Sequence, residues 1–205
     1  MKTIVVAARK GGVGKTTLAA HLSLQAAEQY GEVVLVDTDE QGSLSLWWNR
    51  RPQGAQPAFA VVPIHQLEQK MPAFRARFKA MVIDTPPNVS TLIERVIRLA
   101  DVVVLPTRAG ALDLQALSGT LALLRGKPHV FVVNSATRSR LTASTMSELH
   151  RAAQETGGAV AEPIFERVAV TRAMGMGIGV EDARAQGEIA ALWSLVVKQM
   201  DGRDA

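Results

Sequence analysis

An α/β fold, a mainly parallel twisted sheet of about seven strands flanked by helices on both faces, is what the sequence predicts. Three observations predict it. Short β-rich apolar runs recur along the chain. Most are continuously apolar rather than alternating, as in strands buried on both faces. Helix-length segments separate them, and such alternation favours parallel strands joined by crossover helices. The runs are TIVVAA (3–8), VVLVD (33–37), FAVVPI (59–64), AMVID (80–84), VVVLP (102–106) and HVFVVN (129–134), with GAVAEPI (158–164) a weaker seventh. The helical segments are 16–30, 65–79, 89–99, 111–125, 142–155 and 183–200. With no internal repeat, low-complexity stretch or linker, one domain over 1–205 is the simplest reading.

The chain has 205 residues, 47% of them apolar, enough for a sizeable core. It has no cysteine, which removes disulfides, thiolate metal sites and cysteine nucleophiles together. It also fits a reducing compartment. No apolar run approaches the roughly 20 residues of a membrane span. The start, MKTIVVAARKGG, has neither the apolar length nor the cleavage pattern of a signal peptide. A soluble, cytoplasmic protein is expected. In the last helix Ile189, Leu192, Trp193, Val196, Val197 and Met200 form one stripe. Only Lys198 lies near it, so core packing is expected rather than a basic membrane-surface helix. The net charge is +4, and residues 48–80 carry Arg50, Arg51, Lys70, Arg75, Arg77 and Lys79 against Glu68 alone. That run could face a polyanion or form an ordinary solvated face.

The segment KGGVGKTT (10–17) follows the first strand and opens the first helix. Ligands of open α/β sheets bind at that end of the strands. Glycines let successive N–H groups wrap phosphate oxygens without Cβ obstruction. The helix N-terminus adds donors and a positive dipole end. Gly11, Gly12, Val13, Gly14 and Thr17 form the cradle, Lys15 reaches the β- and γ-phosphates, and the Thr16 hydroxyl goes to Mg²⁺.

The ordinary phosphate loop would have a glycine where Arg9 stands. Lys10 followed by Gly11 and Gly12 instead resembles the deviant Walker A motif, K-G-G-x-G-K-[ST], of the ParA/MinD ATPase superfamily. The resemblance implies a P-loop NTPase-like fold, ATP and Mg²⁺ as cofactors, weak hydrolysis to ADP and phosphate, and a homodimer that sandwiches ATP. It gives Lys10 the role of reaching the partner subunit's phosphates, where a second cation would offset developing charge. VDTDEQGS (36–43) resembles the family's D-x-D-P-Q segment, so Asp39 would orient the attacking water; Glu40 replaces the usual proline. Asp37 reads equally as a strand-end cap. VIDTPP (82–87) looks like Walker B, with Asp84 holding Mg²⁺ and Pro86 and Pro87 stiffening a switch loop. On the base side the resemblance assigns Asn134, in FVVNSATR (131–138), to the adenine edge and Pro163, in EPIFERV (162–168), to packing on the ring.

Missing features narrow the branch. Cluster-carrying relatives need cysteines, and tyrosine kinases of the superfamily need more than Tyr30. A first strand at Lys2 leaves no room for an N-terminal helix-turn-helix. What remains resembles the small ParA-type partition and positioning ATPases. That implies nonspecific DNA binding by the ATP-bound dimer, nucleoid association, and hydrolysis stimulated by a ParB-like or other adaptor, with no membrane. Phosphate contacts suffice for such binding. Arg138, Arg140, Arg167 and Arg172 are the candidate DNA contacts, with the 48–80 run as the other choice. Trp47 and Trp48 read as helix residues under the switch loop, and MGMGIG (174–179) as a flexible loop. The four histidines have no ligand-like spacing. The alternatives are a MinD-like membrane-surface ATPase and an ATP-dependent synthetase of similar fold.

Overall fold

The structure is a computed structural model and describes residues 1–87, 91–124 and 126–202. Its eight strands are β1 (Lys2–Val6), β2 (Val33–Asp37), β3 (Ala58–Val61), β4 (Ala80–Asp84), β5 (Val102–Thr107), β6 (His129–Ala136), β7 (Ala159–Val160) and β8 (Ile164–Phe165). The helices are α1 (Lys15–Tyr30), α2 (Ser43–Trp48), α3 (Leu67–Arg77), α4 (Thr91–Leu99), α5 (Ala111–Leu124), α6 (Arg140–Thr156), α7 (Val168–Met176) and α8 (Ala183–Asp201). The strands lie in the order β3-β2-β4-β1-β5-β6-β7, with β8 also pairing β6. Every pairing is parallel, as the strand–helix alternation predicts.

Successive β1 residues serve opposite faces. Ile4 and Val6 pack into a layer with α1, α2, α7 and α8, while Val5 and Ala7 pack into one with α3, α4, α5 and α6. This double burial explains why the central strands read as unbroken apolar runs. Fully burying one such side chain contributes about 1.5–3 kcal/mol relative to leaving it exposed. The α8 stripe faces the core: Ile189, Leu192, Trp193, Val196 and Met200 are buried and Val197 is partly so. The Trp193 indole N–H donates to Gln29 Oε1 at 2.8 Å, which ties α8 to α1. Among the described residues no helix is long and apolar enough to cross a membrane.

The structure departs from the sequence expectations in several places. The expected strand 158–164 is two two-residue strands, with Ala161, Glu162 and Pro163 between them; Pro163 has no N–H to give a ladder. The 174–179 segment is not simply a loop. Met174–Met176 complete α7, and only after them does Gly177 cap the helix at φ 73°. The expected helix 65–79 begins as a 3₁₀ turn over Ile64–Gln66 and runs as α3 only to Arg77. The expected helices at 89–99 and 111–125 are seen over Thr91–Leu99 and Ala111–Leu124; residues 88–90 and 125 lie outside the described residues.

Candidate functional site

The C-terminal ends of β1, β2 and β4 stand side by side, with Val6 and Asp37 both in register with Asp84. Two carboxylates therefore meet the loop between β1 and α1 at one edge of the sheet. The loop turns at Gly12 (φ 72°) and Gly14 (φ 91°), a region open to glycine. At Gly14 a second reason applies: a Cβ there would lie 1.9 Å from Asn134 Nδ2. That amide donates to Val13 O at 2.9 Å.

The cleft over this loop has a volume of about 600 Å³. Gly11, Gly12, Gly14, Lys15, Thr16 and Thr17 line it from the loop and the start of α1, and Asp39 and Pro87 from the segments after β2 and β4. Lys15 is 7% exposed, and its Nζ donates to Lys10 O at 3.4 Å. Burial pulls its ammonium below the ordinary lysine value, and the carboxylates of Asp84 and Asp39 pull back. The Thr16 hydroxyl donates to Asp84 Oδ2 at 2.7 Å. Asp84 is 1% exposed, and its Oδ1 is buried without a hydrogen-bond partner among the described residues. Burial pushes its carboxyl up to about 7 against the Thr16 bond, and Asp37 alongside pushes the same way. Two hard oxygens on adjacent side chains, one of them an orphaned buried carboxylate oxygen, fit a divalent cation such as Mg²⁺. No cluster of three or more His, Cys, Asp or Glu able to hold a metal occurs among the described residues.

Asp37 and Asp39 divide their work. Asp37 is fully buried and accepts the Asp39 N–H at 3.0 Å and the Ser45 hydroxyl at 3.4 Å. It anchors the turn and the start of α2, and burial raises its pKa. Asp39 is half-buried, and its Oδ1 accepts the Gln41 N–H at 3.0 Å. Lys10 points away from the cleft. Its Nζ lies 2.9 Å from Asp113 Oδ1, in the first turn of α5, where Asp113 is 10% exposed.

A second cavity of about 310 Å³ continues the cleft and shares Gly12, Gly14, Thr17 and Met174 with it. Its walls include Asn134, Phe165 and Arg108. Asn134 lines this cavity, and its amide N–H is engaged by the loop between β1 and α1. Pro163 does not line this cavity; Phe165, two residues on, does. Sequence reading missed Arg108, whose Nε donates to Gly12 O at 3.0 Å. Its signal was its place directly after β5, at the ligand-binding end of the strands.

Of the four arginines named for DNA, Arg138 and Arg167 lie over the same Phe165 ring, at 5.3 and 5.9 Å. Arg167 forks onto Glu188, with both contacts at 2.6 Å, and lies 3.5 Å from Asp182. The Arg167 guanidinium is thus held bidentately by a carboxylate within the chain. Arg138 lies over the Phe165 ring at 5.3 Å; Arg138, Arg140 and Arg172 are exposed. Glu188 Oε2 also accepts the Phe165 N–H at 3.1 Å. Glu188→Ala is therefore expected to lower stability by about 2 kcal/mol, stranding a guanidinium and a backbone donor. Urea unfolding measures it, and a loss below about 0.5 kcal/mol would mean the pair is merely a screened surface contact. The 48–80 run divides as well. Arg50 donates to Gly175 O, and Arg51 donates to Gly177 O at 3.1 Å and Gln56 O at 2.7 Å.

A sequence profile of the CobQ/CobB/MinD/ParA nucleotide binding domain matches residues 4–180. The maintenance of carboxysome distribution protein A of Halothiobacillus neapolitanus is 29% identical over 206 residues, covering 92% of this chain and 91% of that one. Its namesake from Gloeobacter kilaueensis is 36% identical over 121 residues, 58% of this chain, and the match spans about half of that relative, 55%. The septum site-determining protein MinD of Pyrococcus horikoshii OT3, solved with Mg-ADP, superposes with a TM-score of 0.75 at 18% identity. That superposition covers 100% of this chain and 98% of that one and is a likeness of fold. With a nucleotide-binding profile over most of its length and a phosphate loop flanked by two acidic strand ends, the chain belongs to the ParA/MinD family.

Proposed function

We propose that the protein is an ATP-driven positioning or partition switch. In this reading it binds Mg-ATP in the cleft, pairs with a second copy over the nucleotide, holds DNA without sequence preference, and is reset by hydrolysis that an adaptor stimulates. The observation that carries the nucleotide part is the Thr16–Asp84 pair beside Lys15, with Asp39 facing it across the cleft. Mg²⁺, when bound, supplies positive charge to the phosphates. Thr16 and Asp84 would hold it, and Lys15 would hold the terminal phosphates. The Asp39 oxygen not held by Gln41 would accept a proton-bearing water and aim it. The carboxysome-distribution relatives support the positioning role.

The place of Lys10 supports pairing. The one lysine lining the cleft is Lys15, while Lys10 rests on Asp113 outside it. Lys10→Ala is expected to keep ATP binding, to lose ATP-dependent self-association by light scattering, and to slow phosphate release about 100-fold. Unchanged turnover would favour a synthetase-like enzyme instead. For DNA, a gel shift is expected only with ATP, and not with ADP or without nucleotide. Arg140→Glu with Arg172→Glu is expected to abolish it while ATP binding survives. Retention unchanged in that variant would place the DNA surface elsewhere.

A further inference from the structure

The sheet ends on β3, and Ala58–Val61 pair only with β2 among the described residues. An edge strand of this kind presents a row of backbone N–H and C=O groups to any chain that can add alongside it. A cavity of about 480 Å³ opens onto the same edge. Its walls come from both faces of the sheet. Trp48 and Phe59 belong to the layer of α1 and α8, whereas Phe74 and Phe78 belong to the layer of α3 and α4. Successive residues of a strand point to opposite faces. A strand laid along β3 would therefore set one side chain against Trp48 and Phe59 and the next against Phe74 and Phe78.

The charged side chain that lines the cavity, Arg77, is cationic, and the stretch of chain that carries it is basic. Glu68 is the only acid in residues 48–80, and Arg95 Nε already holds it at 3.2 Å. Arg77 lines the cavity, its guanidinium 5.3 Å above the Phe78 ring. Lys70, Arg75 and Lys79, from α3 and the turn after it, are exposed. Two copies meeting edge to edge would bring these cations together, which disfavours self-pairing. A nucleic-acid strand would meet the charge but few free ring faces. Trp48 and Phe59 already stack on each other with centroids 5.2 Å apart, and the Trp48 N–H is held by Pro57 O at 3.2 Å.

We propose that the β3 edge is a docking site for an extended segment of a partner protein, a short apolar run flanked by acidic residues, that adds to the sheet as a ninth strand. The backbone edge would supply affinity, the two aromatic pairs would read adjacent side chains, and the cationic rim would set polarity and exclude basic segments. This surface is separate from the phosphate loop, and the proposal stands without the nucleotide reading.

The test uses the full chain without nucleotide and a fluorescein-labelled synthetic peptide, EDVFVLDE, with KKVFVLKK as its charge-reversed control. The acidic peptide is expected to bind with a Kd below about 100 μM and the basic one at least about 10-fold more weakly. Hydrogen exchange is expected to slow at the amides of 58–61 and not elsewhere. Arg75→Glu with Arg77→Glu is expected to weaken the acidic peptide at least about 10-fold without moving the thermal midpoint. The chain has no cysteine and Val61 is 63% exposed, so Val61→Cys provides a single thiol to cross-link to a peptide ending in cysteine. Absence of binding, equal binding of both peptides, or protection away from β3 would overturn the proposal. So would protection of 58–61 by an oligothymidine in place of the acidic peptide, or peptide-free disulfide dimers of Val61→Cys.

Discussion

Asp39→Ala is expected to bind ATP within a few-fold of the parent protein while phosphate release falls by about 100-fold or more. The geometry separates the two effects. Lys15, Thr16 and the glycine turns that would grip the nucleotide do not depend on the Asp39 carboxylate. The backbone of its loop is held from the other side, since Asp37 accepts the Asp39 N–H and the Ser45 hydroxyl. Removing the carboxylate deletes the acceptor facing the cleft and the bond from Gln41 N–H, while Asp37 still holds the Asp39 N–H and so the backbone of the turn. A hundredfold loss corresponds to about 2.7 kcal/mol of transition-state stabilisation, within reach of a single positioned acceptor. Filter binding of ATP beside single-turnover phosphate release separates the terms. A loss below about 3-fold would assign the water-orienting role to another group, and simultaneous loss of binding would make Asp39 a structural residue.

Asp84→Asn is expected to stabilise the nucleotide-free protein and to remove the effect of Mg²⁺ on ATP binding. Asp84 pays for its site in stability. Its carboxyl is almost fully buried, and its pKa rises from 3.8 to about 7. Between those values the folded chain keeps a proton that the unfolded chain has released. Stability therefore falls as pH rises through the window and levels off above about 7. At 1.36 kcal/mol per pH unit the whole effect approaches about 4 kcal/mol. Asparagine keeps the shape without the charge. The variant should lose this slope and gain about 2–4 kcal/mol at pH 8 in EDTA, while Mg²⁺ no longer strengthens ATP binding. Urea unfolding at pH 5, 6, 7 and 8 and a Mg²⁺ titration measure both. Parent stability that rises with pH across this window would contradict the assignment.

The strands and the phosphate loop were legible because each obeys a strong local rule. A strand buried on both faces must be apolar throughout, and a loop that wraps anions must carry glycines beside a helix start. The failures came where the rule was tertiary. Six residues, Ser43–Trp48, carry too little periodicity to bound a helix by pattern alone. Met174–Met176 read as loop because Gly175 lowers helix propensity, yet that helix is held by Arg50, just after α2, and ends at Gly177, where a Cβ would meet Trp47 O at 2.7 Å. Arg167 looked like any surface cation until Glu188, 21 residues later, was folded onto it. Pro163 and Phe165 could not be told apart by sequence, since which of them lines the second cavity depends on the register of β8 against β6.

The clasp between α2 and α7 has a mechanical consequence. Arg50 and Arg51 bind the carbonyls of Gly175 and Gly177, and the Trp47 indole donates to Ile178 O at 3.2 Å. The segment just after Asp39 is thus fastened to the segment carrying Met174, so opposite banks of the cleft are sewn into one piece. Parting the banks there would break these three bonds and uncover the buried Trp47.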